Sequence, residues 1–178
     1  MLTRNKIGVA FSNLSSSEAT FFLTLAASEL HNKMDVILFY ETHERPCLPL
    51  PCASMQFNEV WSFRGPVVAT NLGTAHKLLQ ASSPTERYLY CQDLEWTRFP
   101  FKNYHELASI YRNPKIKLIA KTLDHKIMIE DCWNVKINLI CETFKEVLLN
   151  EQICQKTFEE IPFLVYGRRK KLPARPLY

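Results

Sequence analysis

A chain of 178 residues, 47% hydrophobic and 22% charged, is long enough for one sizeable core and short for two full domains, and its composition excludes a disordered or coiled-coil protein. No apolar run approaches the roughly 20 residues needed to span a bilayer, so a membrane span is not expected. The net charge of +4 gathers at one end: Arg168, Arg169, Lys170, Lys171 and Arg175 lie in a stretch without acidic residues, which leaves the body close to neutral. The expected organisation is one domain over 1–160 and a basic tail over 161–178, the tail being either a solvated terminus or an attractor of nucleic acid.

Lys6 to Phe11 is a short run rich enough in Ile and Val for a buried strand. Arg4 and Lys6 precede its apolar piece, Ile7 to Phe11, but no small-residue cleavage site follows, so it reads as the first strand of a cytoplasmic protein and not as a signal peptide. Ser15 to Glu18 has capping-box spacing and predicts a helix running to about Asn32. Asp35 to Tyr40 is continuously apolar, as a strand covered on both faces would be. Glu41 to Pro51 holds three prolines and predicts a loop.

A weak strand is expected around Ser54 to Phe57. Gly65 and Pro66 then punctuate the chain before a buried strand at Val67 to Thr70. Asn71 to Ala81 places Leu72, Ala75, Leu78 and Leu79 at helical spacing. Arg87 to Cys91 reads as strand and Tyr104 to Arg112 as helix, stopped by Asn113-Pro114. Lys115 to Ala120 alternates charge with Ile and Leu, as a partly covered strand would. Leu123 to Cys132 reads as helix, Ile137 to Cys141 as strand, and Phe144 to about Gln155 as helix. This alternation predicts an α/β fold: a doubly wound, mainly parallel, Rossmann-like sheet with helices on both faces.

In such a sheet the loops after the strands gather on one edge, where ligands bind. Those loops carry Ser12 and Asn13; Thr70 and Asn71; Asp93, Glu95, Trp96 and Arg98; Lys121, Thr122, Asp124 and His125; and Glu142 with Thr143. Ser12, Thr70, Thr122 and Thr143 are candidate helix caps. The Asp93 to Arg98 cluster is harder to explain as capping. One structural account makes Asp93 a turn cap and pairs Glu95 with Arg98 on the surface; a functional one makes Asp93 and Glu95 catalytic carboxylates. His125 beside Asp124 is either an oriented base or a helix-start surface residue.

Only four glycines occur, at 8, 65, 73 and 167. None forms the glycine-rich turn that lets backbone approach a pyrophosphate, which argues against a dinucleotide oxidoreductase or a P-loop NTPase. The six cysteines, at 47, 52, 91, 132, 141 and 154, lie largely in apolar segments and read as buried free thiols. Cys47 and Cys52 lack zinc-site spacing. Asp93-Leu94-Glu95 has the look of a carboxylate pair for a divalent ion, but the spacing is short. No metal or other cofactor is expected.

With the strands placed, Arg87-Tyr-Leu-Tyr-Cys-Gln-Asp-Leu-Glu95 resembles a Tyr-x-x-Gln-Asp-x-Glu segment in the first half of nucleotide-sugar glycosyltransferases of the two-Rossmann-domain, GT-B type, rhamnosyltransferase-like members above all. Val67 to Ala75 resembles their strand and helix beginning with Ala-Thr, and Lys117 to His125 resembles their Ile-Ala-x-Ser strand end. The resemblance spans about residues 6 to 150 and extends to short bacteriophage proteins, which would place the chain in a host cytoplasm. It implies an acceptor-side Rossmann domain with Asn71, Gln92, Asp93, Glu95 and Lys121 facing an interdomain cleft. It also implies a nucleotide-sugar held mainly by a second Rossmann domain, so that the chain is either a minimal form or the acceptor half of a split enzyme whose partner protein supplies that domain. On that reading Asp93 or Glu95 deprotonates an acceptor hydroxyl, Trp96 stacks on a sugar or base, and Arg98 or Lys121 meets phosphate. The alternative is a non-catalytic Rossmann-like module for a protein or nucleic-acid partner, the latter reached through Arg168, Arg169, Lys170 and Lys171.

Overall fold

The computed structural model describes residues 5–14, 18–43, 50, 52–100 and 103–154. The basic tail, Ser15 of the expected first cap and Cys47 lie outside them. Seven strands form a single all-parallel sheet in the order β3-β2-β1-β4-β5-β6-β7: β1 (Lys6–Leu14), β2 (Asp35–His43), β3 (Ala53–Gln56), β4 (Val67–Ala69), β5 (Arg87–Cys91), β6 (Lys117–Ala120) and β7 (Leu139–Ile140). Among the described residues six helices accompany them: α1 (Glu18–Leu30), α2 (Leu72–Leu78), α3 (Tyr104–Tyr111), α4 (Leu123–Trp133), α5 (Phe144–Leu149) and α6 (Glu151–Cys154). The fold is α/β and Rossmann-like. From β1 the chain builds outward to β2 and β3, then returns to place β4 on the other side of β1. The strand order reverses between β1 and β4, which opens a crevice at their carboxyl ends.

Alternation along the strands sends side chains into two cores, one per face. Ile7, Val9 and Phe11 of β1, with Val68 and Tyr90, pack under α1, α5 and α6. Ala10, Phe39, Ala69, Leu89 and Leu118 pack under α2, α3, α4 and a 3-10 turn at Phe57–Trp61. Gly8 of β1 lies on the second face, where a Cβ would sit 2.8 Å from a ring carbon of Phe39 and 3.2 Å from one of Phe63. The side chain is absent because two aromatic rings fill its place.

Several expected boundaries move. β1 and β2 pair as far as Leu14 and His43, so Ser12 and Asn13 are strand residues, and Glu41 to His43, expected in a loop, extend β2. The helix after β4 is shorter than its periodicity predicts and ends at Leu78. β6 is buried on both faces from Leu118 to Ala120, not partly covered. The last expected helix breaks at Asn150, which is extended (φ −67°, ψ 119°), giving α5 and α6. β7 shrinks to two residues at the sheet edge. Asn134, at φ 50°, ends α4 in the left-handed region that asparagine tolerates. Among the described residues no helix is long and apolar enough to cross a membrane.

Candidate functional site

The crevice at the strand reversal holds a cavity of about 290 Å³. Ser12 and Asn13 of β1, Asn71 after β4, and Gln92, Asp93, Glu95 and Arg98 after β5 bring polar groups to it. Thr20 and Leu23 of α1 and Tyr111 of α3 complete the wall, with Cys91 alongside.

Local chemistry explains why these side chains stand where they do. Asn71 caps α2: its Oδ1 accepts from the Thr74 N–H at 2.9 Å, while the Asn71 N–H donates to Thr74 Oγ1 at 3.4 Å. The Asn71 amide then has its Nδ2 left to donate to Ser12 Oγ at 3.1 Å, which ties the ends of β1 and β4 together. Thr70 does not cap; its hydroxyl donates to the Ala10 carbonyl at 2.9 Å. Thr122 and Thr143 do cap, accepting from the backbone N–H groups of His125 and Glu146.

After β5 the chain makes a 3-10 turn over Glu95–Arg98, held by the Thr97 hydroxyl donating to the Leu94 carbonyl at 2.8 Å. This turn aims Glu95 across the crevice. Its Oε2 accepts the Leu72 N–H of α2 at 2.9 Å, satisfying one of the donors that every helix start exposes. The ion pair in the cluster is Asp93 with Arg98, not Glu95 with Arg98 as the structural account from sequence had it. Both partners are largely exposed, so the pair adds little stability. Burial, reinforced by the Asp93 charge, raises the Glu95 pKa, against the opposing pull of the Leu72 N–H and Arg98.

Two further groups at the cavity keep their protons. Burial pushes the Cys91 thiol up to about 12, with the Glu95 and Asp93 charges adding to it, so it is not a thiolate nucleophile. Burial also raises the Tyr111 phenol far above its ordinary range, with the same acidic neighbours contributing.

Trp96 lies elsewhere than expected. It is half-buried against the core, with its ring at 5.5 Å and 85° to Tyr111 and at 6.0 Å and 87° to Trp133. An indole edge-packed in this way supports Tyr111 and does not line the cavity. Lys121 lines a neighbouring pocket of about 380 Å³ on the α1 and α5 side, with Glu142 and Lys145; Gln92 and Tyr90 border both. His125 sits in the first turn of α4 and lines neither pocket; its Nδ1 is buried without a hydrogen-bond partner among the described residues. The tail residues Arg168 to Lys171 lie outside the described residues. Tyr111 and Thr20 were not foreseen: Tyr111 closes α3 and Thr20 lies in the first turn of α1, and the local sequence at neither carries a sign of a crevice.

No family model, no curated protein and no solved structure matches this chain.

Proposed function

We propose that this chain is an acceptor-side Rossmann-like domain of the two-Rossmann glycosyltransferase type, binding a hydroxyl-bearing acceptor in the crevice between β1 and β4. The observation that carries the reading is the meeting of Ser12, Asn13, Asn71, Gln92, Asp93 and Glu95 at one cavity, where hydrogen-bonding side chains outnumber charges free to bind an anion. Glu95 is the proposed general base: burial raises its pKa and so strengthens its hold on a proton. In transfer, the acceptor O–H gives its proton to Glu95 and its oxygen bonds to the anomeric carbon of the donor sugar. The bond from that carbon to the nucleoside diphosphate breaks, and the diphosphate leaves with the electron pair. A partner protein's second Rossmann domain supplies the donor site.

Incubation of the full chain with nucleotide-sugars and neutral sugar acceptors, with and without a candidate partner, tests this directly. Transfer that is lost in Glu95→Gln, with acceptor binding kept, is the expected result; the absence of sugar binding and of turnover in every combination would sink the proposal.

A second reading, a non-catalytic binding module, is favoured by one feature: both carboxylates are already engaged, Asp93 by Arg98 and Glu95 by Leu72. Persistent sugar binding without turnover supports it. Nucleic-acid binding that falls steeply with salt and disappears on deletion of Gly167 to Tyr178 would instead assign the partner to the basic tail.

A further inference from the structure

Tyr111, in the last turn of α3, is only 3% exposed and yet lines the cavity at the strand reversal. Its ring is fixed from two directions, stacked on Trp133 at 4.8 Å and 9° and met edge-on by Trp96 at 5.5 Å. Its hydroxyl has no hydrogen-bond partner among the described residues, and it is not among their sealed-off unpaired polar atoms. A phenol O–H that opens on the cavity without such a partner is a donor free for an incoming oxygen.

The surroundings restrict what that can be. Asp93 and Glu95 are acidic; among the described residues Arg98 is the basic side chain at the cavity, and its charge is already placed on Asp93. The Leu72 N–H of α2 is taken by Glu95. A phosphate or carboxylate would therefore meet like charge at Asp93 and Glu95, with the Arg98 guanidinium already committed to Asp93. A neutral hydroxyl fits better: its oxygen accepts from Tyr111 while its own proton goes to Glu95.

We infer that Tyr111 is a specificity-determining residue which, paired with Glu95, selects an uncharged, hydroxyl-rich ligand over an anionic one. This rests on the acceptor-site reading above.

Saturation-transfer NMR on the full chain and on Tyr111→Phe tests it, with the methyl glycosides of glucose, galactose, mannose and rhamnose as neutral probes and glucose 6-phosphate and inorganic phosphate as anionic ones. Tyr111→Phe keeps the ring stack, so near-wild-type thermal unfolding is expected. At least one neutral glycoside binds the wild type, its affinity falls about 5-fold in the variant, the loss of one hydrogen bond, and the anions give no signal. Equal glycoside affinity in both proteins overturns the role of Tyr111 and leaves the acceptor reading standing. Preferential binding of the anions overturns the charge selection, and no glycoside binding to the wild type removes the acceptor reading and this inference with it. Should Tyr111→Phe misfold, 3-fluorotyrosine incorporated at position 111 replaces it: its fluorine resonance shifts on addition of the bound glycoside, and an unmoved resonance overturns the inference.

Discussion

Glu95 answers two demands with one carboxylate. It completes the hydrogen bonding at the start of α2, and it does so from a partly desolvated position beside Asp93, which raises its pKa. With the folded pKa above the unfolded one, the folded chain holds more protons in the pH interval just above the ordinary glutamate value. Stability therefore falls as pH rises through that interval. Glu95→Gln keeps an oxygen for the Leu72 N–H and removes the titration, so a flatter profile of urea-unfolding stability against pH is expected there, with no loss at pH 7. Glu95→Ala also removes the acceptor and is expected to lie about 1 kcal/mol below the Gln variant in the same measurement. The reactive character of Asp93, Glu95 and Arg98 was legible from their run of charges after an apolar strand. Their partners were not, because a 3-10 turn of four residues decides which carboxylate meets Arg98 and which reaches α2.

At the scale of elements, caps and strand faces set the site's geometry. Asn71 stands between β4 and α2, and its capping box joins the helix start to Ser12 of β1. Asn71→Ala is expected to cost about 1 kcal/mol in chemical denaturation, and Asn71→Asp, which retains the cap acceptor but not the donor to Ser12, should recover most of it. Within β1, Gly8→Ala forces a methyl against Phe39, Val67 and Phe63; a loss of about 1–3 kcal/mol is expected from a fall in the urea midpoint with unchanged slope. The aromatic cluster shows a limit of periodicity. Tyr104 and Tyr111 of α3 stack on Trp133 of α4, and Trp96 closes the group. The expected helices took in Tyr104 and Tyr111 but stopped at Cys132, one residue short of Trp133, and nothing in their spacing says that the three meet; Trp96 in its polar run carried the opposite expectation. Truncating Trp133→Ala is expected to cost about 3–5 kcal/mol by the same assay and to loosen Tyr111 at the cavity.

The whole molecule is governed by the position of β1, which pairs with β2 on one side and β4 on the other. Hydrogen exchange followed by mass spectrometry is expected to find the slowest amides in β1, β4 and β5, and faster exchange in β3 and β7, which are sheet edges; uniform protection across the sheet would contradict this ranking. The strand and helix alternation, the continuous apolar runs of parallel strands covered on both faces and the polar residues that follow them were all local patterns, so the α/β class and most of its elements were readable from the sequence by itself. Boundaries that depend on a neighbour were not: β1 continues through Ser12 and Asn13 because β2 runs on beside it, and β7 is short because it is an edge. Only the tertiary structure decided that β4 crosses back beside β1, opening the crevice, that Lys121 and His125 stand outside it, and that Tyr111 borders it. The physical reason is that a side chain's address on a sheet edge depends on strand order and on which face each helix covers, and both are settled by packing between segments far apart in the chain.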